Sequence, residues 1–117
     1  GAMVNITSIS GLRASTLRVA YGTSKSGLAH LTKQQAVEFA SLRIRVNAVA
    51  PGGTNTAIYA SFASLPADAD YGLMGKIMTP MDPAEPDEMA NMFTFIASDE
   101  GRYMTGSIVV IDGGITC

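Results

Sequence analysis

The chain is short of charge, of cysteine and of long apolar runs, and each shortage removes a class of function. Charged residues make up 15% of the 117, with 8 Lys and Arg against 10 Asp and Glu, for a net charge of −2. So sparse and balanced a set gives no basic field for a polyanion, so neither nucleic acid nor an anionic lipid surface is expected as a partner. No run reaches the roughly eighteen uninterrupted apolar residues of a membrane span, and no charged stretch followed by an apolar one opens the chain. Neither a membrane segment nor a secretory leader is indicated, and a cytoplasmic location is expected. Cys117 is the one cysteine, which excludes an internal disulfide and a multi-cysteine metal site, so no metal is expected. His30, the one histidine, lies between apolar neighbours without a partner in sequence and is assigned no chemistry. Repeats and low-complexity tracts are absent as well.

What is there fits one soluble domain. The apolar fraction is 47%, and a chain of this length can bury roughly two-thirds of its unfolded surface. Met3 to Ile6 is a short apolar run that periodicity alone reads as strand or helix; Gly11 and the Ser/Thr-rich stretch to Thr16 favour strand then loop. Gly22 to Leu42 has no proline, and Leu28, Leu31, Gln35, Phe39 and Leu42 recur at helical spacing. Gly22, Ser26, Ala29, Ala36 and Ala40 form a second, small-residue stripe, so this predicted helix is expected to pack closely on two sides. Ile44 to Ala50 reads as a buried strand ended by Pro51-Gly52-Gly53, with Asn47 expected to bridge neighbouring backbone.

Ala57 to Pro83 holds Pro66, Pro80, Pro83, Met74, Met78 and Met81 without a sustained period. It reads as a lid with short helices, a disordered insert being the competing reading. Glu85-Pro86-Asp87-Glu88 opens a helix whose apolar face is Met89, Met92, Phe93 and Ile96, ending near Ser98. A turn over Asp99 to Gly106 leads to a third strand, Ser107 to Ile111, closed by Asp112-Gly113-Gly114. The order strand, helix, strand, lid, helix, strand describes a parallel α/β unit of three strands.

Chemistry concentrates at Tyr21 and Lys25. Spaced i and i+4, they share a helix face one turn apart, so an ammonium can reach a phenol oxygen and favour its ionised form. Such a pair alone is more often a half-exposed helix face. Here it follows Asn5-Ile6-Thr7-Ser8-Ile9-Ser10-Gly11 and precedes Ile44-Arg45-Val46-Asn47-Ala48-Val49-Ala50-Pro51-Gly52, Thr56 and Ile111-Asp112-Gly113-Gly114. In this order and spacing the motifs resemble the C-terminal half of a short-chain dehydrogenase/reductase, similar to the 3-oxoacyl-(acyl carrier protein) reductase-like members. The resemblance runs from Val4 to Gly114.

That resemblance implies a partial Rossmann-like, three-layer β-α-β-α-β unit. Adjacent crossovers of one hand leave both helices on one face of a sheet; the family departs from this, so the long helix is expected on one face and the second helix on the other. It also implies hydride transfer between the nicotinamide of NAD or NADP and a small-molecule carbonyl or alcohol. Residue by residue, Tyr21 matches the general acid/base and Lys25 the lysine that lowers its pKa and bonds the nicotinamide ribose. Ser8 matches the serine that orients the substrate oxygen, Pro51, Gly52 and Thr54 the turn whose backbone meets the nicotinamide amide, and Thr56 a nearby hydroxyl.

The family's glycine-rich phosphate loop, its NAD/NADP-selecting residue and its catalytic asparagine have no counterpart; Gly52-Gly53 and Gly113-Gly114 read as turns. The chain by itself is therefore expected to bind a dinucleotide weakly and to be inactive alone. Gly1-Ala2 reads as a tag remnant and 3–117 as the C-terminal half of the domain. A homo-oligomer is expected, by edge pairing or by burial of the small-residue stripe around Ala29 and Ala36. The alternatives to an enzyme are a non-catalytic oligomerising remnant and one half of a split enzyme that needs an N-terminal partner chain.

Overall fold

A computed structural model of the chain describes residues 1–62, 64, 66–74 and 81–117. Strands β1 (Ala2–Ile6), β2 (Arg45–Pro51) and β3 (Ile108–Ile111) form one parallel sheet in the order β1-β2-β3. The register sets Ala2 opposite Arg45, Asn5 opposite Ala48, and Ala48 opposite Ile108. Ala2 is thus part of β1, and just ahead of it the Gly1 carbonyl accepts the Arg45 amide at 3.0 Å. Val46 to Ala50 are fully buried, as a central strand covered on both faces requires.

Among the described residues there are four helices: α1 (Val19–Glu38), α2 (Ala57–Phe62), α3 (Tyr71–Met74) and α4 (Pro86–Ala97). The helix predicted over Gly22–Leu42 begins at Val19 and gives way after Glu38 to a tighter 3-10 turn, Ala40–Leu42, which Arg43 ends in the left-handed region at φ 53°. At the head of α4, Pro86 takes the first helical position and the Glu85 amide donates to Glu88 Oε2 at 2.7 Å. Of the lid read over Ala57–Pro83, residues 63, 65 and 75–80, Met78 and Pro80 among them, lie outside the described residues, as does the Met74 side chain.

Strand parity shows which face each helix covers. Asn5 Nδ2 donates to Thr32 Oγ1 at 3.0 Å and to Gln35 Oε1 at 3.3 Å, so α1 lies on the face that Asn5 shares with its register partner Ala48. Arg45, three residues from Ala48 and so on the opposite face, donates to the carbonyls of Ile96 (2.8 Å), Ala97 (3.3 Å) and Ser98 (3.0 Å) at the end of α4. The two helices sit on opposite faces, as the resemblance implied. Since both crossovers step the same way across the sheet, they are of opposite hand, a departure from the usual rule.

On α1 the face against the sheet is the small-residue row. Ala29, Thr32 and Ala36 are buried, while Leu31, Val37 and Leu42 are 47%, 79% and 66% exposed. Ala29 and Ala36 are thus turned to the sheet, while Ser26 and Ala40 of the same stripe stay exposed. Small side chains let a helix approach a sheet closely, and here they do so under Asn5. Asn47 behaves as expected, fully buried, its Nδ2 donating to Met104 O at 2.8 Å and its Oδ1 accepting the Ser107 amide at 3.1 Å.

Candidate active site

The carboxyl ends of the three parallel strands deliver the site, as in open α/β sheets generally. β1 runs into Thr7 and Ser8, β2 into Pro51 and Gly52, β3 into Asp112. Thr7, 2% exposed, donates its hydroxyl to Lys25 O at 2.7 Å, and Lys25 Nζ donates to Ile6 O at 2.8 Å. This reciprocal clasp fixes the end of β1 against the second turn of α1, so that Ser8 and Tyr21 belong to one rigid corner. Ser8 Oγ accepts the Ser10 amide at 3.1 Å and caps the 3-10 turn Ile9–Gly11, which leaves its own hydroxyl proton to give.

Glycine makes the corner possible. A Cβ on Gly11 would stand 2.6 Å from the Lys25 carbonyl carbon and 2.7 Å from the Ser26 nitrogen, and one on Gly22 would stand 2.8 Å from Ser10 O. Lys25 Nζ lies 5.8 Å from the centre of the Tyr21 ring, within cation–π range. An ammonium has three donors, so its bond to Ile6 O is compatible with others.

Across from this corner runs the turn after β2. The Gly52 amide donates to Ile111 O at 2.8 Å, and a Cβ there would fall 2.6 Å from Asp112 Cα. Thr54 Oγ1 lies 3.5 Å from Gly52 O and Thr56 Oγ1 donates to Thr54 O at 3.3 Å. Thr54 also bridges Ala84, and Asn55 Nδ2 donates to Glu85 Oε1 at 3.0 Å, tying the turn to the head of α4. Asp112 Oδ atoms accept the amides of Gly114 (3.0 Å) and Thr116 (2.9 Å) and the Thr116 hydroxyl (2.6 Å). Burial pushes the Asp112 carboxyl up, and these hydrogen bonds outweigh it, holding the group below its ordinary value.

Between the two walls lies a cavity of about 630 Å³. Ser8, Tyr21, Lys25, Pro51, Gly52, Thr54 and Thr56, the residues singled out in the sequence, all line it. Ile9, Ile58, Met81, Met89, Phe93 and Ile115 give it an apolar side. The sequence reading missed Thr7, Ser10, Arg13, Ser15 and Arg18, which line it too. Arg13 Nη1 donates to Ile115 O at 2.6 Å, and Arg18 Nη1 to Ser10 Oγ at 3.2 Å. A volume of this order suits a nicotinamide riboside portion beside a small substrate, and a hydroxyl, an ammonium and a polar turn facing one another are donors that ribose hydroxyls and a carboxamide can use. Among the described residues, no cluster of His, Cys, Asp and Glu suits a metal ion and no helix is long and apolar enough to cross a membrane.

A family model described as enoyl-(acyl carrier protein) reductase matches residues 1–116. The chain belongs to the short-chain dehydrogenase/reductase family. It is 40% identical over 116 residues to 7alpha-hydroxysteroid dehydrogenase of Bacteroides fragilis, covering 99% of this chain and 44% of that protein. It is 38% identical over 116 residues to 3-oxoacyl-(acyl-carrier-protein) reductase of Thermotoga maritima, covering 98% of this chain and 45% of the relative. Among solved structures, 4-hydroxyisoleucine dehydrogenase complexed with NADH superimposes with a TM-score of 0.79 at 39% identity, over 99% of this chain and 46% of that one. The chain thus spans less than half the length of the short-chain dehydrogenase/reductase relatives it matches.

Proposed function

We propose that the cavity is the proton-transfer and nicotinamide half of an NAD(P)-dependent oxidoreductase that interconverts a small-molecule alcohol and its carbonyl. The observation that carries this reading is the convergence of Ser8, Tyr21 and Lys25 with the turn Pro51–Thr54 and Thr56 on one cavity, in a chain whose structural relatives include a dehydrogenase complexed with NADH.

In this reading Ser8 holds the substrate oxygen by donating its hydroxyl. The Tyr21 phenol oxygen takes the alcohol proton in oxidation and returns it in reduction. Lys25 favours the ionised phenol and takes a ribose hydroxyl, while the backbone and hydroxyls of Pro51, Gly52, Thr54 and Thr56 hold the carboxamide. The apolar side, Met89, Phe93 and Ile115, keeps water from the reacting carbon. A bound NAD or NADP supplies the hydride chemistry, so that alcohol and oxidised cofactor become carbonyl, reduced cofactor and one proton. The pyrophosphate and adenosine contacts belong to parts of the family fold outside the span matched here, and a cytoplasmic location accords with the reading.

Ketone reduction, followed by loss of NADH or NADPH absorbance, tests it. Tyr21→Phe is expected to lower turnover by about 10²–10⁴-fold while leaving the thermal midpoint in place. Equal, measurable rates for the two proteins would remove the general-acid role.

A further inference from the structure

The loop 12–18, between Ser8 and Tyr21, carries a feature that proton transfer does not use. Arg13, Ser15 and Arg18 all line the cavity. The Ser15 hydroxyl oxygen is shut off from solvent and has no hydrogen-bond partner among the described residues. Arg13 is anchored by a neutral carbonyl, Ile115 O, and Arg18 Nη1 donates to the hydroxyl of Ser10, whose backbone amide donates to Ser8 Oγ. Of the charged residues that line the cavity among the described residues, Arg13, Arg18 and Lys25 are cationic and Asp82 is anionic, in a chain whose net charge is −2. Positive charge is therefore concentrated here against the trend of the whole sequence.

Position along α1 separates this charge from the cofactor. Arg18 precedes Tyr21 by three residues and Lys25 follows it by four, so the two cations flank the phenol about one turn on either side, roughly 10 Å apart along the axis. If Lys25 faces the ribose, Arg18 is on the substrate's side. Its link through Ser10 to Ser8 puts the guanidinium a few bonds from a carbon held by Ser8 and Tyr21. Opposite lie Ile9, Met89 and Phe93.

We infer that the substrate is a hydroxy or oxo acid: an apolar carbon skeleton bearing a carboxylate that Arg13 and Arg18 hold, a few bonds from the reacting carbon. Arginine's planar fork suits a carboxylate, and such charge-assisted bonds are about twice as strong as neutral ones. This rests on the dehydrogenase reading for the reacting end, but its test does not require turnover.

The experiment compares 4-oxopentanoate with its methyl ester, by ligand-detected NMR for binding and by NADH or NADPH oxidation for rate, using the 117-residue chain. The acid is expected to bind at least tenfold more tightly than the ester, with a preference that shrinks as salt rises. Arg13→Gln and Arg18→Gln should each cut the acid-to-ester ratio, and Arg18→Lys should restore part of it. Equal binding of acid and ester by the unaltered chain overturns the inference, whatever the rates. So does a loss in the glutamine variants that falls on NADH and NADPH binding while the acid-to-ester ratio holds, because the anion held would then be the cofactor's. Acid-selective binding supports the carboxylate site whether or not the chain alone turns over, and measurable reduction that is equally fast in Tyr21→Phe counts against the dehydrogenase reading alone.

Discussion

At Asn47 both ends of a buried amide are used, clamping the Met104 carbonyl and the Ser107 amide beside the central strand. Asn47→Ala removes both bonds, leaving the Ser107 amide without its partner and the Met104 carbonyl with Arg45 Nη1 alone at 3.3 Å, which is expected to cost about 1–3 kcal/mol. A urea titration checks this; an unchanged midpoint would contradict it. Asp112 carries a pH dependence. Its folded value lies below the ordinary 3.8, so the stability it lends is present above the unfolded value and lost as pH falls through the folded one, below about pH 4. The amides of Gly114 and Thr116 should therefore shift together in that range, and in Asp112→Asn they should not titrate. The Tyr21 and Lys25 pair was singled out in the sequence by its i, i+4 spacing and Ser8 by the family resemblance, and all three line the cavity. Thr7, Arg13 and Arg18 were not legible there: Thr7 and Arg13 find their partners 18 and 102 residues away, and a hydroxyl or guanidinium in a loop carries no mark of its contacts.

Among the elements, the three strands and α4 follow from sequence with boundaries off by a residue or so, because turn and cap residues announce them. The packing face of α1 did not follow. Large apolar residues at helical spacing suggest a buried row, yet the approach of the Ser8 loop and the sheet selects the small one. Two glycines in or against α1 separate the effects. At Gly11 a Cβ meets backbone that cannot yield, so Gly11→Ala should cost about 1–3 kcal/mol and displace Ser8. At Gly27, within α1, a Cβ meets nothing within 4 Å, so Gly27→Ala should stabilise by about 0.5–1 kcal/mol. Thermal melts of the two variants give the signs; destabilisation of both would contradict this description of the corner.

Across the whole molecule, the opposite placement of α1 and α4 was legible only through the family resemblance, since periodicity says nothing of which face a crossover takes. The distribution of surface was not legible. β1 lies at the edge of the described sheet with Met3 41% and Ile6 54% exposed, and the outer row of α1 presents Leu31 and Val37. Open edges and apolar rows attract partners, and we expect self-association or pairing with a strand-donating chain. A strictly monomeric species in light scattering at high concentration would contradict self-association.

The most direct measurement is a backbone amide NMR titration of the chain with NADH and NADPH. The expected result is weak but saturable binding, with shifts confined to Ser8, Tyr21, Lys25 and the turn Gly52 to Thr56. Saturable binding that shifts other residues and spares these, or no shifts at millimolar cofactor, would contradict the assignment of this cavity as the nicotinamide half of a dehydrogenase site.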